Sequence, residues 1–378
     1  MSVDAPPGTA VKIVCSRDEF AQALQVVSRA VSSRASVQIL SGILLRVEGG
    51  VVHLAATDME MSLRVSFPAQ TSEEGSIVLP GRLLADIVRL LPPGEVTLQY
   101  DEGEGLAQIA AGPASYRLHT YAAEDFPRLP VAGPASLVPV DRDAFLETVA
   151  KVSRAASRDE SRPVLTGILV RLEGAILVMA ATDSYRLSVK ETSLPADTGK
   201  ELEAIVPARA LGEVARIAQA SPEHRIEIGV QENQVVFSVG GVWLSARRID
   251  GQFPNYRQLR PESFEVELTV SREELLDAVR RVSVMAQRSS PLRLRFEEGQ
   301  LTIQAQTQDV GEAQETLAVP YSADALEIGF NPDFLRDGLE SVEGDDVRLR
   351  LISPLRPGLV SGPGEDFWYL IMPIRLAG

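Results

Sequence analysis

The sequence predicts an α+β fold made of three tandem repeats, each with two helices packed on antiparallel sheets. Two observations support this prediction: a segment is duplicated at a constant spacing, and an amphipathic helical pattern occurs three times. The chain has 378 residues, which is enough for two or three domains. Its composition, 45% hydrophobic and 24% charged, is typical of a globular protein.

The duplication is visible as closely matching segments. Residues 39–48 (ILSGILLRVE) and 164–173 (VLTGILVRLE) are identical at six of ten positions. The tetrapeptide AATD at 55–58 recurs at 180–183 with the same offset, and Phe126-Pro127 recurs as Phe253-Pro254. Matches that keep one spacing over so long a stretch indicate that a single unit is repeated.

The helices indicate a third repeat. The same rhythm of apolar residues occurs at Phe20, Leu24, Val27 and Val31, at Phe145, Val149, Val152 and Ala156, and at Leu275, Val279, Val282 and Ala286. This spacing places four residues on one face of a helix, and acidic residues open each of these helices, where the helix dipole favours them. A second helix is predicted in each repeat, at 80–91, 207–218 and 331–342, and the short alternating runs between helices are typical of strands.

Proline-rich connectors mark the ends of the first two repeats. They place the boundaries near Pro139 and Ser263. We therefore predict a flexible leader at 1–10, where two prolines and a glycine occur, and domains at 11–138, 139–262 and 263–378.

The composition disfavours several kinds of chemistry. Cys15 is the only cysteine, which excludes an intrachain disulfide and a cysteine-based zinc site, and we expect a buried structural thiol. The three histidines lie far apart in sequence, so no metal site, cofactor or catalytic residue is predicted. No apolar stretch is long enough to span a membrane and no signal sequence opens the chain, so we expect a cytoplasmic protein without a membrane partner.

Basic residues are concentrated in the helices, although the net charge is −15. The later half of each first helix holds basic residues and no acid: Arg29 and Arg34, then Lys151, Arg154 and Arg158, then Arg280, Arg281 and Arg288. Basic residues near helix C-termini can simply complement the helix dipole. Their occurrence in all three repeats instead favours a basic, helix-lined surface for double-stranded DNA, bound without sequence specificity.

Domain size limits how such a surface could surround DNA. A domain of about 120 residues has a diameter of roughly 35 Å. Three such domains in a closed triangle leave a hole of only about 5 Å, whereas six leave roughly 35 Å, enough for a duplex and its water. A chain that encircles DNA must therefore do so as a head-to-tail dimer. Topological linkage would also hold an acidic protein on DNA without many phosphate contacts.

Seven motifs support a family resemblance: LSGILL at 40–45, ATDMEM at 56–61, EDFPRL at 124–129, ATDSYRL at 181–187, DGQFPNYRQLRP at 250–261, IGFNPDFL at 328–335 and YLIMPIRL at 369–376. In this order they resemble the beta sliding clamp of the bacterial replicative DNA polymerase III, from residue 11 to residue 376. The resemblance implies the DNA-clamp fold in three tandem repeats and a homodimeric ring of six domains with helices lining the hole. It also implies partners, namely the replicative polymerase, the clamp loader and repair proteins, which bind through short hydrophobic peptide motifs.

The resemblance further implies particular sites. A peptide pocket would be formed by Leu165, Thr182, Ser184, Tyr185, Arg186, Leu187, Pro254, Leu259, Leu370, Met372 and Arg375. DNA would contact Arg34, with weaker candidates at Arg29, Lys151, Arg154, Arg158, Arg209, Arg216, Arg280 and Arg281. The dimer contact would place Tyr116 of domain 1 against the Val284 region of domain 3. The residues at Ser283 and Tyr185 differ from those familiar in the family.

Two other functions are compatible with the residues. An enzyme would need a base, a nucleophile or a metal set; the only candidates are Thr57-Asp58 and Thr182-Asp183, and a Thr-Asp pair at a strand end usually forms a turn. A peptide-binding scaffold that never encircles DNA is the second alternative. For the pocket itself, the simpler interpretation is that ATDSYRL is a strand and turn and that MPIRL is an ordinary edge strand. That interpretation leaves exposed apolar groups at the C-terminus without a reason.

Overall fold

The computed structural model describes residues 10–32, 37–101, 103, 105–129, 137–195, 197–231, 233–286 and 290–376. The leader predicted at 1–10 lies outside this part of the chain except for Ala10, which begins the first strand. The chain forms two compact units. Unit 1 consists of Met1–Arg142 and Glu213–Arg248, and unit 2 consists of Asp143–Gly212 and Ile249–Gly378.

Unit 1 contains two antiparallel sheets, with α1 packed on α2 and on β4. Its helices are α1 (Arg17–Val27) and α2 (Gly81–Leu90). Its strands are β1 (Ala10–Ser16), β2 (Gly42–Glu48), β3 (Val51–Thr57), β4 (Met61–Pro68), β5 (Gln70–Glu73), β6 (Ser76–Pro80), β7 (Glu95–Asp101), β8 (Leu106–Ala111), β9 (Ala114–His119), β10 (Val138–Asp141), β15 (Arg225–Gln231), β16 (Gln234–Val239) and β17 (Val242–Arg247). The sheets have strand orders β5-β1-β7-β8-β9 and β10-β15-β16-β17-β4-β3-β2-β6.

Unit 2 is built in the same way. Its helices are α3 (Arg142–Val152), α4 (Pro163–Thr166), α6 (Arg272–Ser283) and α7 (Pro332–Ser341), and α5 (Ala208–Ala220) contains the division between the units. Its strands are β11 (Gly167–Glu173), β12 (Ile176–Thr182), β13 (Arg186–Ser193), β14 (Glu201–Pro207), β18 (Val266–Ser271), β19 (Leu292–Glu297), β20 (Gln300–Thr307), β21 (Gly311–Ala318), β22 (Leu326–Phe330), β23 (Asp346–Leu351), β24 (Gly358–Ser361) and β25 (Phe367–Ile371). The sheets have strand orders β14-β11-β12-β13-β25-β24-β23-β18 and β21-β20-β19-β22.

The compact units cut across the sequence repeats, because strands pair across the repeat boundaries. β4 of the first repeat pairs with β17 of the second, and Ser62 lies opposite Ser245. β13 of the second repeat pairs with β25 of the third, and Leu187 lies opposite Leu370. Within the described residues, each repeat contributes two long helices and eight or nine strands, which confirms the predicted α+β repeat.

The predicted apolar face of the first helix in each repeat is buried at its first three positions. Burial of each large apolar side chain contributes about 2 kcal/mol. The prediction that the fourth residue also lies on the buried face was wrong in the second and third repeats, where Ala156 and Ala286 are only partly buried. In the second repeat α3 ends at Val152, and the following 3-10 turn places Ala155 in the core instead. Among the described helices, none is both long and apolar enough to cross a membrane.

Cys15 is buried in β1, as the sequence predicts. Burial, with a smaller effect of Glu19, raises the pKa of its thiol to about 12. Because the thiolate is the reactive form, we expect the native protein at pH 8 to resist Ellman's reagent while glutathione, as the control, reacts fully. The single thiol should become reactive after unfolding in urea, and rapid labelling of the native protein would contradict the burial.

Candidate functional site

The loop between β12 and β13 is a tight turn that carries several residues predicted for the pocket. Thr182 Oγ1 donates to the Arg186 carbonyl at 2.6 Å, and the Ser184 N–H donates to Thr182 Oγ1 at 3.1 Å. Asp183 Oδ1 accepts from the N–H groups of Tyr185 and Arg186 at 2.9 and 3.0 Å. Ser184 has a φ of 80°, in the left-handed region. The turn is closed by its own side chains, and Tyr185 is left 61% exposed.

The C-terminal strand β25 forms a floor next to this turn. Leu187 of β13 pairs with Leu370 of β25, and both side chains are buried. β25 lies inside its sheet between β13 and β24, and the residues after it are not the edge strand considered above. The Met372 N–H donates to the Tyr185 carbonyl at 2.8 Å, and the Ile374 N–H donates to the backbone of β22 at 2.8 Å. The tail is therefore fixed to the turn between β12 and β13 and to strand β22.

Exposed apolar side chains surround the floor. Tyr185 is joined by Leu259 and Met372, which are 48 and 42% exposed. The connector between β17 and β18 and the short helix α4 both pack on the buried cluster that contains Leu187 and Leu370. The remaining predicted pocket residues are Leu165 in α4, Pro254 in the connector and Arg375, which is exposed in the tail. An apolar floor with an exposed apolar rim is suited to a short hydrophobic peptide.

Arg186 is a fixed structural cation in this site. Its side chain is 10% exposed and stacks on the Phe334 ring, with Cζ 4.3 Å from the ring centroid. Its guanidinium donates to Asp183 Oδ2, Asp337 Oδ2, the Tyr369 hydroxyl and the Arg154 carbonyl. Burial would lower the pKa of the guanidinium, but Tyr369 and Asp337 more than reverse this, so the pKa of Arg186 is raised. Arg186 thus ties the turn to α7, a role that its sequence neighbours do not indicate.

Unit 1 contains the same turn, formed by the other Thr-Asp pair considered above. Thr57 Oγ1 donates to the Met61 carbonyl at 3.1 Å, and Asp58 Oδ1 accepts from the N–H groups of Glu60 and Met61 at 3.1 and 2.8 Å. Met59 has a φ of 75°. The Thr-Asp pairs in both units are therefore turn residues. In the described part of the chain, no group of three or more His, Cys, Asp or Glu side chains could hold a metal ion.

The floor beside the turn differs between the units. Where unit 2 pairs Leu187 with Leu370, unit 1 pairs Ser62 with Ser245. The backbone bond made by Met372 in unit 2 is made in unit 1 by Arg247, whose N–H donates to the Glu60 carbonyl at 2.8 Å. Because the backbone is the same and the floor is polar, the duplicated turn offers an apolar pocket in unit 2 and a polar surface in unit 1.

Carboxylates bind most of the basic residues predicted to contact DNA. Lys151 is 8% exposed, and its Nζ lies 2.7 Å from Glu147 Oε1. Arg281 binds both oxygens of Glu315, at 3.0 and 2.6 Å. The other ion pairs join Arg29 and Arg216 to Glu213, Arg154 to Asp337 and Glu340, and Arg280 to Asp277 and Glu340. Arg158 and Arg209 are exposed, and Arg34 lies outside the described residues. The sequence could not show this compensation, because many of the acids come from other elements.

The two residues predicted for the dimer contact are exposed near sheet edges. Tyr116 is 41% exposed on β9, which lies at one end of the five-stranded sheet. Val284 is 82% exposed directly after α6. Three residues earlier, Arg281 binds Glu315 of β21, which is the end strand of the four-stranded sheet. Tyr116 therefore lies on an end strand of its sheet, and Val284 follows a helix that contacts an end strand, among the residues that the structure describes.

Three repeats of two helices on antiparallel sheets, joined by sheets that cross the repeat boundaries, place the protein in the class of DNA clamps. The family models match in three successive segments. The DNA polymerase III beta subunit N-terminal, central and C-terminal domains match residues 11–130, 139–255 and 257–375. The chain belongs to the DNA polymerase III beta subunit family.

Named relatives and solved structures agree with this assignment. The beta sliding clamp of Streptomyces coelicolor is 34% identical, with 97% of this chain and 100% of the relative covered. A crystal structure of the DNA polymerase sliding clamp from Bacillus subtilis has a TM-score of 0.93 at 27% identity, covering 97% of this chain and 100% of that one. The sliding clamp from Pseudomonas aeruginosa bound to griselimycin has a TM-score of 0.90 at 27% identity, with the same coverage.

Proposed function

We propose that the protein is a non-catalytic sliding clamp that encircles duplex DNA as a head-to-tail homodimer and tethers the replicative polymerase and other replication proteins. Family membership along nearly the whole chain supports the clamp function. The observation that carries the tethering role is the group of exposed apolar side chains, Tyr185, Leu259 and Met372, near the buried leucines of β13 and β25. The repeats at 11–138, 139–262 and 263–378 would supply three of the six domains of the ring.

In this proposal the pocket takes a short hydrophobic motif of the polymerase, the clamp loader or a repair protein. The aliphatic side chains of the motif would cover Leu187 and Leu370, and the exposed rim residues Leu259 and Met372 would close over them. Thr182 and Ser184 are used in the turn, so they would shape the pocket more than they bind the peptide. Tyr185, with its exposed ring, would contribute a stacking surface and a hydroxyl.

The ion pairs between the basic helix residues and carboxylates are consistent with a clamp that slides along DNA. Arginines that already bind carboxylates, such as Arg154 and Arg281, would make weak phosphate contacts, because a phosphate must compete with the acid. Contacts to phosphates carry no base specificity. Arg34, the main candidate, and the exposed Arg158 would be the stronger contacts. Lys151 would be the weakest, since it is buried between acids.

The proposed dimer joins the β9 edge of one chain to the β21 edge of the other, with Tyr116 against the Val284 region. Apolar side chains exposed beside an unpaired strand are typical of such an interface. Ser283 would not leave an unsatisfied hydroxyl there, because its Oγ donates to the Val279 carbonyl within α6.

A second candidate function is a peptide-binding scaffold that does not encircle DNA. The ion pairs of the basic helix residues favour it, since they reduce the positive charge available to phosphates. A molar mass of only 40.9 kDa in solution would contradict the clamp, because a two-chain ring requires about twice that mass and an open scaffold does not.

DNA topology provides the decisive test. After loading by a clamp loader onto nicked circular DNA, the protein should stay bound through gel filtration, and cutting the circle once should release nearly all of it. Release is expected because a ring held by topology slides off a free end, whereas a protein held by phosphate contacts does not. Blocking both ends of the linear DNA with a bound protein is the control and should restore retention. Equal retention on open linear and circular DNA would contradict encirclement.

A further inference from the structure

Unit 2 carries a second groove, which we call the arginine groove. It lies between the connector from β17 to β18 and the turn after β23, and it is lined by Arg257, Arg260, Phe264, Arg350, Ile352 and Arg356. Its volume of about 1020 Å³ is at the upper end of the range for ligand clefts. Its lining contains four arginines and one glutamate, Glu262. This local excess of positive charge contrasts with the net charge of −15 for the whole chain.

The inner arginines of the groove are rigidly held. Arg350 has a side chain 8% exposed, lies 5.6 Å from the centre of the Phe264 ring and donates to Glu365 Oε1 at 2.6 Å. Arg260 lies 5.7 Å from the centre of the Trp368 ring and also binds Glu365. A guanidinium fixed by an aromatic face and a carboxylate loses little entropy when it binds an anion. These two arginines are thus prearranged for an anionic ligand.

The acids around the groove neutralise only part of its charge. Glu365 and Glu267 together hold three guanidinium groups, those of Arg260, Arg348 and Arg350. The nearest carboxylate to Arg257 belongs to Glu173, at 3.8 Å. Arg356 is exposed and makes no ion pair with any residue that the structure describes. The hydrogen bond from Arg350 lowers the pKa of Glu365, which therefore stays ionised and keeps holding the inner arginines.

The arginine groove and the apolar pocket lie close together in unit 2. The short 3-10 helix Tyr256–Leu259 carries Arg257 in the groove and Leu259 at the pocket rim. The turn after β23, which includes Arg356, lies at the same end of the sheet as the pocket, because Gly358 pairs with Ile371. A chain that is seated in the pocket and extended by a few residues could therefore reach the groove.

We propose that the arginine groove binds an acidic peptide segment that flanks the hydrophobic motif of a partner protein. The proposal rests on the function proposed above and extends it, since the groove would select among partners that share the same motif. Proximity to the pocket favours a peptide over nucleic acid as the occupant. Carboxylates of the segment would meet Arg257 and Arg356 first and the fixed pair of Arg260 and Arg350 beneath them.

The test compares five fluorescent peptides by anisotropy against the full-length protein. All five contain the same hydrophobic motif. One has no extension, two carry four glutamates at one end or the other, and two carry four glutamines at the same ends. At 50 mM salt the better glutamate peptide should bind about fivefold to tenfold more tightly than its glutamine counterpart, since two or three partly exposed ion pairs are gained. The difference should shrink at 500 mM salt, where screening is strong.

Two double variants test whether the arginine groove causes the preference for the glutamate peptide. Arg257→Gln with Arg356→Gln should reduce the advantage of glutamate to less than twofold without changing the affinity for the unextended motif. Arg293→Gln with Arg295→Gln removes the same charge from β19 of the other sheet and should preserve the advantage.

Three outcomes would overturn the proposal. Equal binding of the glutamate and glutamine peptides to the wild-type protein would overturn the groove and leave the pocket intact. A second outcome is that a single-stranded oligonucleotide binds the wild-type protein and not the Arg257→Gln/Arg356→Gln variant, while the glutamate and glutamine peptides bind equally. That outcome would assign the groove to nucleic acid instead. Failure of even the unextended motif to bind would remove the pocket and the groove together.

Discussion

Replacing Leu259 and Met372 together by alanine is expected to weaken the binding of a hydrophobic partner peptide by at least about 30-fold. The two side chains are 48 and 42% exposed in the free protein, so binding would bury them against the peptide. Removing two such rim contacts should cost about 2 kcal/mol of binding free energy, which corresponds to that factor in Kd. Because neither side chain belongs to the core, the folded state should not change. Fluorescence anisotropy with the labelled motif peptide measures the effect directly.

The duplicated turn of unit 1 provides a matched control. Met59 occupies that turn and is 60% exposed, and Ile176 is 44% exposed at the start of β12. Replacing Met59 and Ile176 by alanine removes a similar apolar area without touching the pocket, and the peptide affinity should stay within twofold of wild type. The molar mass of both double variants should match that of the wild-type dimer. Dissociation of the Leu259/Met372 variant into monomers, with normal peptide affinity, would show that the pocket is misplaced.

Local sequence patterns predicted the repeated α+β architecture well. The periodicity of helices such as α1 and the alternation of strands such as β2 depend only on residues close in the chain, so they are readable without a structure. Duplicated segments then indicated two repeats, and the recurring helix pattern indicated the third. The pairing of β4 with β17 and of β13 with β25 could not be predicted in this way. Strand partners from different repeats are selected by tertiary packing, for which a single sequence carries no local signal.

The chemistry of the sites was predictable to different degrees. The floor residues Leu187 and Leu370 followed from the family resemblance, and the structure pairs them across two strands. Arg154 and Lys151 were predicted as surface cations because their helical neighbours are basic. Their partners Glu340 and Glu343 come from α7 and from just beyond its end, far along the chain. An ion pair of this kind depends on which helices and strands pack together. The sequence therefore predicts the basic residue but not the carboxylate that pairs with it.

The partners of Arg186 are another case that the sequence does not predict. Replacing this residue should have a large effect on stability. Replacing Arg186 by methionine is expected to destabilise unit 2 by about 3 kcal/mol, because the carboxylates of Asp183 and Asp337 would lose a buried cationic partner. The readout is urea unfolding followed by the fluorescence of the buried Trp368, in a Trp243→Phe background so that the signal reports unit 2. The midpoint of the transition is the quantity to compare, since a chain with several domains need not unfold in one step.

The expected loss of stability arises because Arg186 is a buried cation. Two further variants test this explanation. Arg171 on β11 pairs with Glu173 and Glu203, both more than half exposed, so Arg171→Met should cost less than about 1 kcal/mol. Adding Asp337→Asn to Arg186→Met removes one of the abandoned carboxylates and should recover part of the lost stability, because the two sites are coupled. If Arg186→Met costs no more than Arg171→Met, the guanidinium does not hold the turn against α7. The pocket geometry would then depend on the backbone bonds of the turn and the tail alone.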